Sequence, residues 1–219
     1  MHSATEDLTH RPDPGPRVSI LIPAAGFGRR MGGRDKLLEE VTAGEPLLQR
    51  VVVRAKATGA SVLVGVKPQD TARRAVLDGL GVHIVTVDDA EDGMGASLNA
   101  LAQAVSGKAS GVMILPADMP DLETEDLLTL ITRFEADGGK APVQAMTSDG
   151  APGHPVIFPA SALPALRALS GDTGAKSILK GFGTSVIRHP LADQRALVDL
   201  DTPEAWTAWR LNSSADAPR

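Results

Sequence analysis

A chain of 219 residues is long enough to bury a substantial core without staples, and the absence of cysteine excludes disulfides, thiolate metal sites and a cysteine nucleophile. With 42% hydrophobic, 22% charged and 3% aromatic residues, the composition is that of a globule with an aliphatic core rather than a disordered chain. A formal net charge of −5 argues against nucleic acid or an anionic membrane as partner, and no apolar run approaches the roughly 18–20 residues of a membrane span, so a cytoplasmic protein is expected.

Residues 1–17 are polar and proline-rich and are expected to form a disordered tail. Folded structure is expected from Val18, where Val18-Ser-Ile-Leu-Ile-Pro23 is a short, β-branched, nearly continuous apolar run of the kind buried on both faces of a parallel sheet. Similar runs stand at 61–66, 82–87 and 111–115, with helical patterns at 46–58, 69–77 and 96–105 between them. This alternation predicts an α/β fold, a three-layer α/β/α sandwich around a mostly parallel, Rossmann-like sheet. Beyond residue 124 the pattern loosens into a helix at 125–137, strands near 141–146 and 156–158, helices near 160–169 and 175–179, a strand at 184–188 and a closing helix at 203–211. One domain over 18–211 is expected, with 212–219 a second tail.

Directly after the first strand, residues 24–36 hold four glycines and four cations within thirteen positions. In open α/β sheets ligands bind beyond the carboxyl ends of the strands, where small residues let backbone N–H groups reach phosphate oxygens. A connecting loop with solvated arginines would look similar, but its place after the first strand favours a phosphate cradle. The stretch is not a P-loop, and Gly26-Phe27-Gly28-Arg29-Arg30-Met31 lacks the third glycine of the dinucleotide fingerprint.

Ala24, Ala25, Gly26, Arg30, Met31, Gly32 and Lys36 together resemble the signature of the MobA-like nucleotidyltransferase superfamily. That group includes the molybdenum-cofactor guanylyl- and cytidylyltransferases and the methylerythritol-phosphate cytidylyltransferase. The resemblance implies the nucleotide-diphospho-sugar transferase type of fold, with Arg30 and Lys36 holding a triphosphate and Ala24, Ala25, Gly26, Gly28 and Gly32 forming the nucleotide cradle.

The fourth apolar run ends in Leu115-Pro116-Ala117-Asp118-Met119-Pro120, which puts a carboxylate on the same sheet edge as the glycine loop. A lone aspartate there is often a turn or cap residue, but in this motif the superfamily carries a magnesium ligand. Asp118 is therefore expected to bind Mg2+. Asp199 and Asp201 lie just before the closing helix, and on an extended segment they would point to one side. One of Asp201 and Thr202 would cap that helix, with Pro203 at its first position. The resemblance makes Asp199 the second metal ligand, with Asp201 the alternative.

Between Glu91 and Leu98 a second glycine-rich turn reaches the same edge, where Gly95 and Ser97 are candidates for contacting base and ribose and Ser97 equally for capping a helix near Ala96. Gly153-His154-Pro155 and Gly171-Asp172-Thr173-Gly174-Ala175-Lys176 resemble the molybdopterin cytidylyltransferase-like branch, as does the Pro-Ala-Ala-Gly opening where the guanylyl branch usually has Leu-Ala-Gly-Gly. This implies an acceptor site formed by His154, Asp172 and Lys176. Two departures stand against the resemblance: Lys176 where the branch also uses arginine, and the acidic Glu39-Glu40 pair.

The function so implied is transfer of CMP from CTP to the phosphate of molybdopterin, with Mg2+ as cofactor, pyrophosphate as leaving group and a molybdoenzyme as recipient of the product. The alternatives are a guanylyltransferase using GTP, a sugar- or polyol-phosphate cytidylyltransferase, a non-catalytic nucleotide-binding chaperone for a molybdoenzyme and, more distantly, a dehydrogenase.

Overall fold

β1 (Val18–Pro23) runs through the middle of the molecule. Ile20 and Ile22 face one side of the sheet and Leu21 the other, all without solvent exposure. A strand apolar at consecutive positions must be covered on both faces, and the chain supplies the covers by alternating strand and helix. The computed structural model describes residues 17–26, 31 and 33–215; of the tail expected over 1–17, all but Arg17 lies outside them, as do residues 216–219, and the Arg17 carbonyl accepts from the Ser110 N–H beside β1.

After β1 come a small hairpin of β2 (Glu40–Thr42) and β3 (Glu45–Pro46), α1 (Leu47–Ala57), β4 (Ser61–Val66), α2 (Thr71–Leu77), β5 (His83–Thr86), α3 (Met94–Gln103), β6 (Gly111–Ile114) and α4 (Thr124–Ala136). The second half holds β7 (Val143–Met146), β8 (Pro152–Pro159), α5 (Leu163–Leu166), α6 (Lys176–Gly181), β9 (Ile187–Pro190) and α7 (Pro203–Ala215). The seven-stranded sheet has the order β5-β4-β1-β6-β8-β7-β9. Residues of α1, α2, α4 and α7 join the core on the Ile20 face, and those of α3 and α5 join it on the Leu21 face. The sheet is thus a mostly parallel one between two helical layers, as the alternation predicts.

Four features differ from the sequence expectation. β8 is antiparallel to both neighbours, β6 and β7. The reason is its connection: Thr147 N–H donates to the Ala151 carbonyl at 2.9 Å and Gly150 takes φ +93°, a tight turn that can only reverse the chain. The β2–β3 hairpin was not expected, and its turn rests on Gly44 at φ +77°. α3 begins at Met94, two residues before its expected start, because Gly93 at φ +103° breaks the chain direction there. The closing helix runs to Ala215, past the expected end at 211. Among the described residues no helix is long and apolar enough to cross a membrane.

Gly111 sits where β6 leaves no room for a side chain: a Cβ would stand 2.6 Å from the Phe134 ring and 2.7 Å from the Phe158 carbonyl oxygen. Gly111→Ala should cost about 1–3 kcal/mol by overpacking, a fall in Tm of several degrees at this chain length. A calorimetric Tm equal to that of the wild type would contradict the packing described.

Candidate active site

The carboxyl ends of β1 and β6 are adjacent, because these strands pair in parallel from Val18↔Gly111 to Leu21↔Ile114. The chain leaving β1 therefore enters the glycine-rich stretch beside the chain leaving β6 toward Asp118. Lys36 Nζ donates to Asp118 Oδ2 at 2.6 Å and also to Asp201 Oδ1. The three groups lie 82 and 165 residues apart in sequence and meet with side-chain exposures of only 16–21%.

Each is held from its own segment. Asp35 Oδ1 accepts from the Leu37 N–H at 3.0 Å, and Leu37, itself buried, accepts at its carbonyl from the Leu48 N–H at the start of α1. Lys36 is thus mounted between a side-chain turn and a helix. The Asp118 loop is tied by Leu115 N–H to the Leu21 carbonyl, and by Arg54, which donates to the carbonyls of Pro120 and Leu122. Asp201 arrives because Leu200 N–H donates to the Asp118 carbonyl at 3.0 Å. Thr202, not an aspartate, caps α7, accepting from Ala205 N–H at 3.2 Å.

Burial works against the charge of Lys36, but Asp118 and Asp201 outweigh it and hold its pKa above the ordinary lysine value. The ammonium is a fixed positive charge at any physiological pH. The donor set around it is two carboxylates of the hard-oxygen type. Magnesium takes one or two such groups and fills its shell with water and substrate phosphates, so the residues present fit it. Among the described residues no group of three or more metal-binding side chains is gathered. Asp199 is exposed and close enough to His154 to act on its charge.

A cleft of about 980 Å³ opens over this cluster. Lys36, Asp118 and Asp201 line it together with Ala24, Gly26, Glu91, Met94, Ser97, Gln144, His154, Asp172 and Lys176. Asp172 lies against Gly93, at the start of α3. Ser97 is buried inside α3 and does not cap it. Ala25 lies behind the wall, packed with Val87 and Ala90. Gly95 faces the other loop: its N–H donates to the Gly171 carbonyl at 2.8 Å, and a Cβ there would stand 2.6 Å from the Ser170 carbonyl oxygen. Gly28, Arg30 and Gly32 lie outside the described residues.

His154 is presented by β8, where its N–H donates to the Ala196 carbonyl at 2.8 Å and neighbouring Gly153 leaves room for Ala196. Its ring opens into the cleft. The surrounding protein lowers its pKa below the ordinary histidine value, against the opposing pull of Asp118 and Asp199, so the imidazole is neutral at neutral pH.

Two lining residues escaped the sequence reading. Gln144 on β7 donates from Nε2 to the Gly153 carbonyl at 3.2 Å. Arg73 on α2 is almost wholly buried and donates to Asp35 and to the Ala24 carbonyl. The available signal for Arg73 was a cation one helical turn before Leu77, on the stripe that a helix over 69–77 turns to the core; for Gln144 there was none.

The MobA-like NTP transferase domain matches residues 20–191. A molybdenum cofactor guanylyltransferase of Pseudomonas putida is 30% identical over 198 residues, covering 88% of this chain and 97% of that protein. A 2-C-methyl-D-erythritol 4-phosphate cytidylyltransferase of Ralstonia nicotianae is 34% identical over 137 residues, 58% of this chain and 54% of that protein. Among solved structures, the homolog of Mycobacterium tuberculosis rv0371c from Mycobacterium sp. strain JC1 superposes with a TM-score of 0.79 at 23% identity, covering 92% of this chain and 98% of that one. It shares the fold.

Removing the central ammonium has a pH signature. In Lys36→Met, Asp118 and Asp201 are left half-buried together without their cation, which is unfavourable while both are ionised and is relieved when a proton is taken up. The variant should therefore trail the wild type by about 2 kcal/mol at pH 7.5, and the gap should narrow as the pH is lowered toward 4. Thermal unfolding at both pH values measures it; a gap independent of pH would show that the carboxylates do not share the lysine.

Proposed function

The chain belongs to the MobA-like NTP transferase family, and on that premise we propose that it is a magnesium-dependent cytidylyltransferase that joins CMP from CTP to the phosphate of molybdopterin. The observation that carries the reading is the meeting of Lys36, Asp118 and Asp201 in one cleft of about 980 Å³. A nucleoside triphosphate needs a cation and metal-binding carboxylates at one point, and a transfer reaction needs room for a second substrate beyond it.

The acceptor's phosphate monoester, largely ionised near neutral pH, attacks the α-phosphorus of CTP. A new P–O bond forms to the acceptor as the bond to the β-phosphate oxygen breaks, and that oxygen leaves with its electron pair as pyrophosphate. No strong base is needed, so the work falls to positioning and charge neutralisation. Lys36 neutralises charge growing on the leaving group, joined by Arg30, which the family motif assigns to the triphosphate. Asp118 and Asp201 are the carboxylates best placed to hold magnesium, which when bound supplies charge neutralisation across the phosphates. Also on the cleft lining, Lys176 supplies a cation for the acceptor phosphate, while Asp172 and the neutral His154 offer hydrogen bonds.

CTP is favoured by the Pro23-Ala24-Ala25-Gly26 opening, where the guanylyl branch usually has Leu-Ala-Gly-Gly. A second reading, with GTP as donor, is favoured by the Pseudomonas putida relative's name. A molybdenum-cofactor acceptor is supported by that name, and by the resemblance of the Gly153-His154-Pro155 and 171–176 segments.

Pyrophosphate release with molybdopterin and Mg2+, compared for CTP and GTP, tests the proposal. CTP should be turned over faster, chelation by EDTA should stop the reaction, and Lys36→Ala or Asp118→Asn should each lower kcat roughly 10²- to 10³-fold. Preference for GTP would select the second reading, and no release with either nucleotide would remove both.

A further inference from the structure

Arg73 is 3% exposed, a rare state for an arginine unless it is fully paired. Nε donates to Asp35 Oδ2 at 2.8 Å and Nη2 to Asp35 Oδ1 at 2.9 Å, the two-pronged geometry that a guanidinium makes with a carboxylate. Nη1 donates to the Ala24 carbonyl at 2.5 Å. Asp70, the N-cap of α2, stands 3.3 Å from Nε and accepts from the Arg73 N–H.

Ala24 and Asp35 bracket the glycine-rich stretch. Ala24 is the residue after β1, and its own N–H donates to the Gly65 carbonyl at 2.9 Å, so its peptide is pinned from both sides. Asp35 immediately precedes Lys36 and forms the turn that mounts it. One rigid side chain, 49 and 38 residues away in sequence, therefore fixes both ends of the segment that ends in the central lysine.

Ala24 and Lys36 both line the cleft, and a ligand that had to bring them into place would bind less tightly than one that finds them already set. An ordinary ion pair holding α2 to the sheet would need only one carboxylate. Arg73 instead spends its fork on the two ends of this one segment.

We propose that Arg73 is a positioning residue for the nucleotide: acting through Ala24 and Asp35, it presets the Ala24 backbone and the Lys36 ammonium on the cleft lining that the phosphates would meet. The inference rests on the reading of the cleft as a nucleoside triphosphate site. It also explains why lysine cannot replace it, since an ammonium has no second prong for Asp35 while it reaches Ala24.

The test is titration calorimetry of CTP and GTP with Mg2+ on the full chain, with thermal unfolding of each variant. Arg73→Met should weaken nucleotide binding roughly tenfold or more, and Arg73→Lys should restore little of it despite keeping the charge. Asp35→Asn should weaken binding similarly, and the double variant Arg73→Met/Asp35→Asn should lose little more than either alone, because both break one tie. Arg50→Met removes an ion pair with Glu45 away from the cleft; it should lower Tm without moving the nucleotide Kd. If Arg73→Met does not fold, Arg73→Lys and Asp35→Asn carry the comparison. Variants that lose Tm while their Kd stays within twofold of the wild type overturn the inference alone, leaving Arg73 a structural ion pair. Wild-type protein that binds neither nucleotide overturns the reading of the cleft, and the inference with it.

Discussion

The ammonium of Lys36 lies between the carboxylates of Asp118 and Asp201, and each of the three groups is unfavourable there without the others. Two half-buried carboxylates this close repel, and a half-buried ammonium needs anions. Much of the surrounding architecture can be read as delivering these groups to one point. The hairpin and the start of α1 anchor the lysine segment, Arg54 steadies the loop after β6, and the strand-like bond from Leu200 to the Asp118 backbone brings in the closing segment. The same charge balance that holds the apo cluster together is what a triphosphate would enter: it brings negative charge to the lysine and frees the carboxylates for a cation.

α3 and the 167–172 segment beside it are joined by a close backbone approach and by one side-chain amide. Gly95 at the start of α3 bonds to Gly171, while Asn99 in the same helix donates to the carbonyls of Arg167 and Leu169. Gly153 lets Ala196 approach on the other side. These close approaches are possible only where a Cβ is missing, and they set the width of the cleft. They also mean that the loop bearing Asp172 and the helix bearing Ser97 are one packed unit, so a substrate contacting either meets a wall already supported by the other.

What could be read from residues alone was uneven in a physically intelligible way. β1, β4 and β6 were found within a residue because a strand buried on both faces must be apolar at consecutive positions, a strong local pattern. β8 was found only in its middle and without its direction, because strand polarity depends on the connecting turn and the pairing partner. α3 was placed two residues late because a glycine can start a helix without the cap residue that would mark it. Thr202 as cap of α7 was one of the two residues expected, and Pro203 and Glu204 stand at the start of that helix as anticipated. The resemblance put Asp199 ahead of Asp201, and on an extended segment both lie on one side; it is Asp201 that pairs with Lys36, a contact across 165 residues.

By itself the sequence determined the layer architecture and the motif positions along the strand ends, because periodicity and short glycine, aspartate and lysine patterns are local properties of a chain. Only the tertiary structure decided which of those motif residues meet. Parallel pairing of β1 with β6 puts Lys36 beside Asp118, the closing segment adds Asp201, and α2 sends Arg73 to grip both ends of the glycine turn. Ion pairs across 38 to 165 residues leave no trace in local pattern, since their geometry comes from how strands and helices stack rather than from what stands next to what.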